Sequence, residues 1–394
     1  MKKFLLLVIN LTIAVSIFAQ GLPKAKPEDV GMSSKRLAQI DKIAQQAIDE
    51  KKVPGVAVLV AKNGKVVYKK TFGYASLEPE KKLIADDMIY DLASISKPVG
   101  TGTAVMMLVE AGKIRLDDDV REYIPNFAPY INQEGRREHA KIYHLLTHTS
   151  GLPDYTNADS VIAKYGLVAG DSLMNHIAQL KKTHSPGTHF EYSCLGFITL
   201  ANIVKIVTGK PLNEFAQENI FDALKLKNIG YVPNAEMIKK CVPTEKVDGV
   251  MLCGIVHDPL ARLQKGISGN AGLFSNLDDL SVMIQLYLNG GEYNGVRLLS
   301  PITVKLMTEV YNPLKKFGRG LSWDVTSGYM GQRGDIFPIG SYGHTGFTGT
   351  SVIVDPVSKT QLIILTNRVH PDGKGEVAKL RKSIANVAGS SILK

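Results

Sequence analysis

Ser94 and Lys97 stand three residues apart in the stretch YDLASISKP. At that spacing a hydroxyl and an amine share one face of a helix. An amine that burial keeps neutral could accept the hydroxyl proton and make Ser94 a nucleophile. A helix starting there would place positive dipole where an oxyanion develops. By itself S-x-x-K also describes a capping serine beside a solvated lysine, so the surroundings must decide. Other patterns point to other chemistry. His144 and His148 have the i, i+4 spacing of a metal pair, but no Glu lies between them, and the zincin pattern fails. His257-Asp258 could be two members of a triad. Gly170-Asp171-Ser172-Leu173 spells GDSL, but ahead of a helical pattern rather than after a strand near the chain start, so chance explains it. Thr208-Gly209-Lys210 reads as a helix end, not a phosphate loop.

The elements that must carry these residues are legible. From Ser34 to about Lys51, Leu37, Ile40, Ile43, Ala44 and Ala47 recur at helical spacing. Two β-rich runs then flank Asn63-Gly64, the strongest short hairpin signal. The middle is helical and loop-rich, with candidate helices Lys97–Ala111, Leu195–Val207, Leu212–Leu224 and Leu277–Leu288. Strands return at Ser341–Thr345, Thr350–Val354 and Gln361–Thr366, and a last helix runs from about Glu376 to Val387. Strands at both ends around a helical middle predict an α/β fold of the α+β type. Its antiparallel sheet would be flanked by helices and joined to a mainly helical second lobe. The expected division is a sheet lobe over about 27–93 and 292–394 and a helical lobe over about 94–291, together one catalytic unit spanning 20–394.

Several blocks, in order, resemble the penicillin-binding-protein and serine β-lactamase superfamily. YDLASISKPVGTGTAVMMLVEAGKIRLDDDVREYIP is similar to the nucleophile helix of class C β-lactamases and low-molecular-mass penicillin-binding proteins. LLTHTSGLP, from Leu145 to Pro153, resembles a segment framing the family's active site. Tyr192-Ser193-Cys194 falls where the family has Y-x-N, and His344-Thr345-Gly346 resembles its K-T-G strand in the H-T-G form of some D,D-peptidases and esterases. The segment Val256–Gly291 looks like a largely architectural block of related carboxypeptidases, departing from it at Pro259-Leu260 and Asn270, which is expected at the pocket rim.

The resemblance implies roles. Ser94, Lys97, Tyr192 and His344 would be catalytic, with Tyr192 a general base or relay if a nearby cation lowers its pKa. Cys194, Thr345, Gly346 and Phe347 would contact substrate: the N–H groups of Ser94 and Phe347 as an oxyanion hole, Thr345 on a carboxylate, and Gly346 by allowing close backbone approach. Cys194 replaces an Asn that contacts the substrate acyl-amide and the lysine, and a thiol is a poor hydrogen-bonding substitute. D,D-peptidase or esterase-type hydrolysis through an acyl-enzyme is therefore expected first. A class C-like β-lactamase is the alternative, followed by a non-catalytic penicillin-binding receptor. No cofactor or metal is implied.

The chain begins MKKFLLLVINLTIAVSIFAQ, a basic start, a short apolar run and a small residue at Ala19. This reads as a signal peptide over 1–19, giving a secreted or periplasmic protein with no membrane span after cleavage. Cleavage lowers the formal net charge from +10 to +8. A basic surface suits anionic cell-wall polymer, but no dense Lys/Arg block with interleaved aromatics points to nucleic acid. The expected partner is a small-molecule, peptide or ester substrate, cell-wall peptide among them; oligomeric state is open. Of the three cysteines, Cys241 and Cys253 are close enough in sequence to pair after export, leaving Cys194.

Overall fold

The computed structural model describes residues 21–166 and 170–394. The expected signal segment lies outside them. Helix α1 (Gln39–Asp49) buries Ile40, Ala44 and Ala47. The expected hairpin follows: β1 (Gly55–Lys62) pairs antiparallel with β2 (Lys65–Ser76). Asn63 and Gly64 turn between them with φ of 52° and 73°. Two left-handed residues make the turn that matches strand twist, which is why Asn-Gly signals a hairpin.

β3 (Lys82–Leu83) adds to β2, and the short β4 (Tyr90–Asp91) leads to Ser94. A π-helical turn, Lys97–Gly102, then runs into α2 (Thr103–Glu110). The continuous helix expected over 97–111 is therefore underwound at its start, a distortion frequent at functional sites. α3 (Cys194–Thr208) lies in the middle region, as do β5 (Ile229–Tyr231) and β6 (Leu273–Ser275), which form a small sheet with β4 in the order β4-β6-β5. The helix expected over 212–224 is an α-helix Leu212–Ala216 continued by a π turn, Gln217–Phe221. α4 occupies Leu277–Leu288, as expected. The last strands, β7 (Tyr342–Thr345), β8 (Ser351–Asp355) and β9 (Thr360–Leu365), each lie within a residue of expectation, and α5 (Ala378–Ser390) follows.

The main sheet runs β7-β8-β9-β1-β2-β3, antiparallel throughout. The N-terminal hairpin thus meets the C-terminal strands at the β1–β9 pair. Every residue of β1 is buried. Val56, Val58 and Val60 join Ile40, Ala44, Leu380 and Ile384 in one apolar cluster, while Ala57, Leu59 and Ala61 join Leu280 and Ile284 in another. Period-two alternation splits an all-apolar strand between two cores, so helices cover the sheet on both faces. Truncating Leu59 to Ala in such a strand would cost about 2–5 kcal/mol. No single helix among the described residues is long and apolar enough to cross a membrane. The pairing of Cys241 with Cys253 that their spacing left open is not formed: both thiols are free, and Cys253 Sγ instead donates to the Cys241 carbonyl over 3.3 Å.

Candidate active site

Ser94 follows Ala93, whose φ of 47° is left-handed, a conformation costly for a residue with a Cβ. The turn Ala93–Ile95 throws the Ser94 side chain outward, and it is partly exposed while both neighbours are buried. One turn on, Lys97 is fully buried. Its Nζ donates to Ser94 Oγ over 2.9 Å and to the Asn270 carbonyl over 2.8 Å. The ammonium also lies 5.1 Å from the Tyr192 ring centre and 5.9 Å from that of Phe197. Ser96 faces inward, its Oγ accepting from the Leu273 N–H over 3.0 Å and tying the turn to β6.

Burial works to lower the Lys97 pKa, but interaction with Cys194 and Tyr192 outweighs it and the net direction is upward. The amine is placed as a donor, to Ser94 Oγ and to the Asn270 carbonyl. A buried ammonium needs several acceptors, and these groups supply them.

Tyr192 and Cys194 flank Ser193, which caps α3: its Oγ accepts from Gly196 N–H over 3.4 Å and donates to the Pro153 carbonyl over 2.6 Å. A serine ahead of an apolar helical run is a capping signal in the sequence. Tyr192 is sandwiched, with His148 stacked on one ring contact at 4.3 Å and Tyr329 on another at 5.0 Å. Cys194 is partly exposed. Burial raises its thiol pKa against the pull of nearby Lys97, so it is a neutral thiol rather than a second nucleophile.

His344 is buried in β7, with Nδ1 2.8 Å from the Thr345 carbonyl. A carbonyl only accepts, so Nδ1 carries the proton and Nε2 is an acceptor. His148 has the opposite tautomer, because its Nδ1 accepts from the Ser193 N–H over 2.9 Å. Burial holds both imidazoles neutral, well below the usual histidine range, and the nearby Arg319 and Lys97 push the same way. Arg319 is itself buried, 3.4 Å from Asp324, with Nε unpartnered among the described residues.

Thr345 is partly exposed and Phe347 is exposed. Gly346 does allow a close approach, but to the chain itself: a Cβ there would stand 2.1 Å from Thr350 Oγ1 and 2.4 Å from the Leu92 carbonyl. The turn after β7 is stitched to the nucleophile segment, with Thr348 Oγ1 donating to the Asp91 carbonyl over 2.8 Å and Thr350 Oγ1 to that of Leu92 over 3.0 Å.

The remaining expectations sort cleanly. His144 and His148 share no helix, since the helix there ends at Leu146, and each Nδ1 already accepts a backbone N–H. Among the described residues no group of His, Cys, Asp or Glu could hold a metal ion. His257 pairs through Nε2 with Glu245 at 2.7 Å, whereas Asp258 caps the helix Pro259–Leu263, so the two do not act as a triad pair. The GDSL serine lies inside the helix Gly170–Gln179. Asn270, expected at the rim, is fully buried: its Oδ1 accepts from Ser268 Oγ, and its side chain lies beside the Cys194 thiol. Sequence reading missed the Asn270 carbonyl, Arg319 and Tyr329, because a backbone acceptor and residues on an irregular segment leave no spacing signal.

The Beta-lactamase family model matches residues 40–386. A protein of Escherichia coli O157:H7 named "Putative D-alanyl-D-alanine carboxypeptidase" is 31% identical over 94% of this chain and 92% of its own length. Among solved structures, EstCE1, "a hydrolase with promiscuous acyltransferase activity", superposes with a TM-score of 0.73 at 24% identity, covering 90% of this chain and 98% of that one. A penicillin-binding protein homolog from Caulobacter crescentus gives 0.69 at 18% identity, covering 91% and 99%. The chain belongs to the Beta-lactamase family and is a serine hydrolase of the penicillin-binding-protein and β-lactamase superfamily.

Proposed function

We propose that this protein is an exported hydrolase that forms an acyl-enzyme on Ser94, acting on small esters or amides of the D,D-peptidase or esterase type. The 2.9 Å contact between the buried Lys97 amine and the half-exposed Ser94 hydroxyl carries the reading. Because Lys97 donates to Ser94 Oγ, the hydroxyl proton is free to leave in another direction. Tyr192 takes it as a phenolate balanced by the Lys97 ammonium, while Ser94 Oγ bonds to the substrate carbonyl carbon. The N–H groups of Ser94 and Phe347 receive the oxyanion. Tyr192 then returns the proton to the departing alcohol or amine, and water releases the acyl group by the reverse sequence. His344, neutral and buried, shapes this pocket rather than exchanging protons in it.

The name of the E. coli relative supports the peptidase form and that of EstCE1 the esterase form. Cys194 in place of an amide-binding Asn ranks β-lactams lower as substrates. A fluorophosphonate should add its mass to the wild type and not to Ser94→Ala. Turnover of p-nitrophenyl esters, peptides ending in D-Ala-D-Ala, and nitrocefin then separates the substrate classes. Retained turnover by a folded Ser94→Ala protein would overturn the reading; labelling without turnover of any substrate would make the protein a receptor. Export predicts Gln20 as the mature N-terminus in the native host, and Met1 there would refute it.

A further inference from the structure

The peptide that links Gly346 to Phe347 has two ends. Its N–H is the one proposed to face the oxyanion. Its carbonyl, on Gly346, accepts from Arg381 Nη2 over 2.9 Å. The same nitrogen reaches the Thr350 carbonyl at 2.8 Å, across the turn that Gly346 N–H closes onto Thr350 O at 2.7 Å. A second guanidinium holds the next peptide: Arg368 Nε donates to the Phe347 carbonyl over 2.7 Å, and its Nη1 to the Gly375 carbonyl over 3.0 Å. The Arg368 backbone N–H takes the Thr348 carbonyl at 2.8 Å. Carbonyls 346, 347, 348 and 350 are all occupied from one side, while Thr348 and Thr350 fix the other side to the nucleophile segment.

We propose that Arg381 is a positioning residue for the oxyanion hole, acting through the Gly346 carbonyl to aim and polarise the Phe347 N–H. This rests on the Ser94 reading above. A peptide is rigid and planar, so a cation fixed at its oxygen fixes the direction of its N–H. A charge-assisted bond to the oxygen also draws electron density from the nitrogen, which makes the N–H a stronger donor. Arg381 sits in the first turn of α5, on an element that supplies no other site residue. Burial, and then the neighbouring Arg368, push its pKa down to about 10, which leaves it charged at neutral pH.

Removing a whole oxyanion donor lowers kcat about 100- to 1,000-fold. Misaiming and weakening one donor should lower it less. Arg381→Met should cut kcat for a p-nitrophenyl ester about 10- to 100-fold with KM little changed. Arg381→Lys keeps the charge and one donor and should recover part of the loss. The carbonyl stretch of the acyl-enzyme, read by isotope-edited infrared difference, should move to higher frequency in Arg381→Met as the oxyanion bond weakens. If Arg381→Met does not fold, Arg381→Lys carries the same two readouts. Unchanged kcat and carbonyl frequency in a folded variant, with Ser94→Ala still inactive, would overturn the role of Arg381 alone. Turnover by Ser94→Ala would instead remove the site reading on which it rests.

Discussion

Lys97 takes one of its acceptors from a peptide 173 residues further along, the carbonyl of Asn270 at 2.8 Å. The lysine shares a turn with Ser94, but what holds its amine comes from the loop before β6. This changes the meaning of Cys194. The side chain at that position is not the lysine's sole support, because the Asn270 carbonyl also accepts from the amine, and a backbone oxygen is indifferent to side-chain identity.

Cys194→Asn should therefore leave ester turnover nearly intact while adding a donor and an acceptor for a substrate amide. One hydrogen bond to a polar or charged group contributes about 1–3 kcal/mol, or roughly 5- to 150-fold in rate. We expect kcat/KM for nitrocefin to rise by about 10-fold relative to p-nitrophenyl acetate. An unchanged ratio in a well-folded variant would show that Cys194 does not set substrate class.

Stability should fall in mild acid. His148 and His344 are buried and neutral, with pKa values pushed well below the usual 6.5. The unfolded chain takes up protons below about pH 6.5 that the folded chain refuses, so their contribution is complete above that pH and declines as pH falls toward the folded pKa values. Both histidines should therefore lower the unfolding free energy as the pH falls below about 6.5. Denaturant unfolding from pH 8 to 5 should show the loss, and His344→Gln should have a shallower slope. A variant slope equal to that of the wild type would mean that His344 protonates in the folded state.

Gly346→Ala tests the seam between the turn after β7 and the nucleophile segment. The added Cβ would meet the Leu92 carbonyl at 2.4 Å, and that backbone also carries Ser94. Relief must separate the two oxyanion peptides. The variant should lose more than about 100-fold in kcat, comparable to losing an oxyanion donor, with roughly 1–3 kcal/mol of stability. Near-normal kcat would show that the seam tolerates the shift.

What the sequence made legible were features written as local patterns. Asn63-Gly64 fixed the hairpin because both residues must turn left-handed, and the three C-terminal strands were bounded by polar turns. Ser94, Lys97 and Tyr192 were singled out by type and order, and the fold brings them together. The underwound turn at Lys97–Gly102 was not, because π and α turns share one apolar pattern. Nor was the burial of Asn270 or Arg319, whose polarity places them at the surface on composition alone. The surroundings of the Lys97 amine were not legible for a related reason: beyond Ser94 on its own turn, they are gathered from two distant segments, Tyr192–Cys194 and Asn270.

Tyr329 offers the last test, of the apolar side of the site. It lies on a short turn, Gly328–Arg333, after the capping Ser327, and it is 52% exposed. Its ring stacks on Tyr192 at 5.0 Å and meets Phe190 edge-on at 5.8 Å. It therefore extends the proposed general base into an aromatic surface that a substrate's apolar portion would cover. An aromatic contact of this kind contributes about 0.5–1.5 kcal/mol. Tyr329→Ala should raise KM for p-nitrophenyl butyrate about 2- to 10-fold, and should affect p-nitrophenyl acetate less. Tyr329→Phe should resemble the wild type, because the ring and not the hydroxyl makes the stack. The thermal midpoint should barely move, since half-exposed side chains carry little of the fold's stability. If Tyr329→Ala lowered kcat for both esters equally with KM unchanged, the ring would be acting by holding Tyr192 in place rather than by binding substrate.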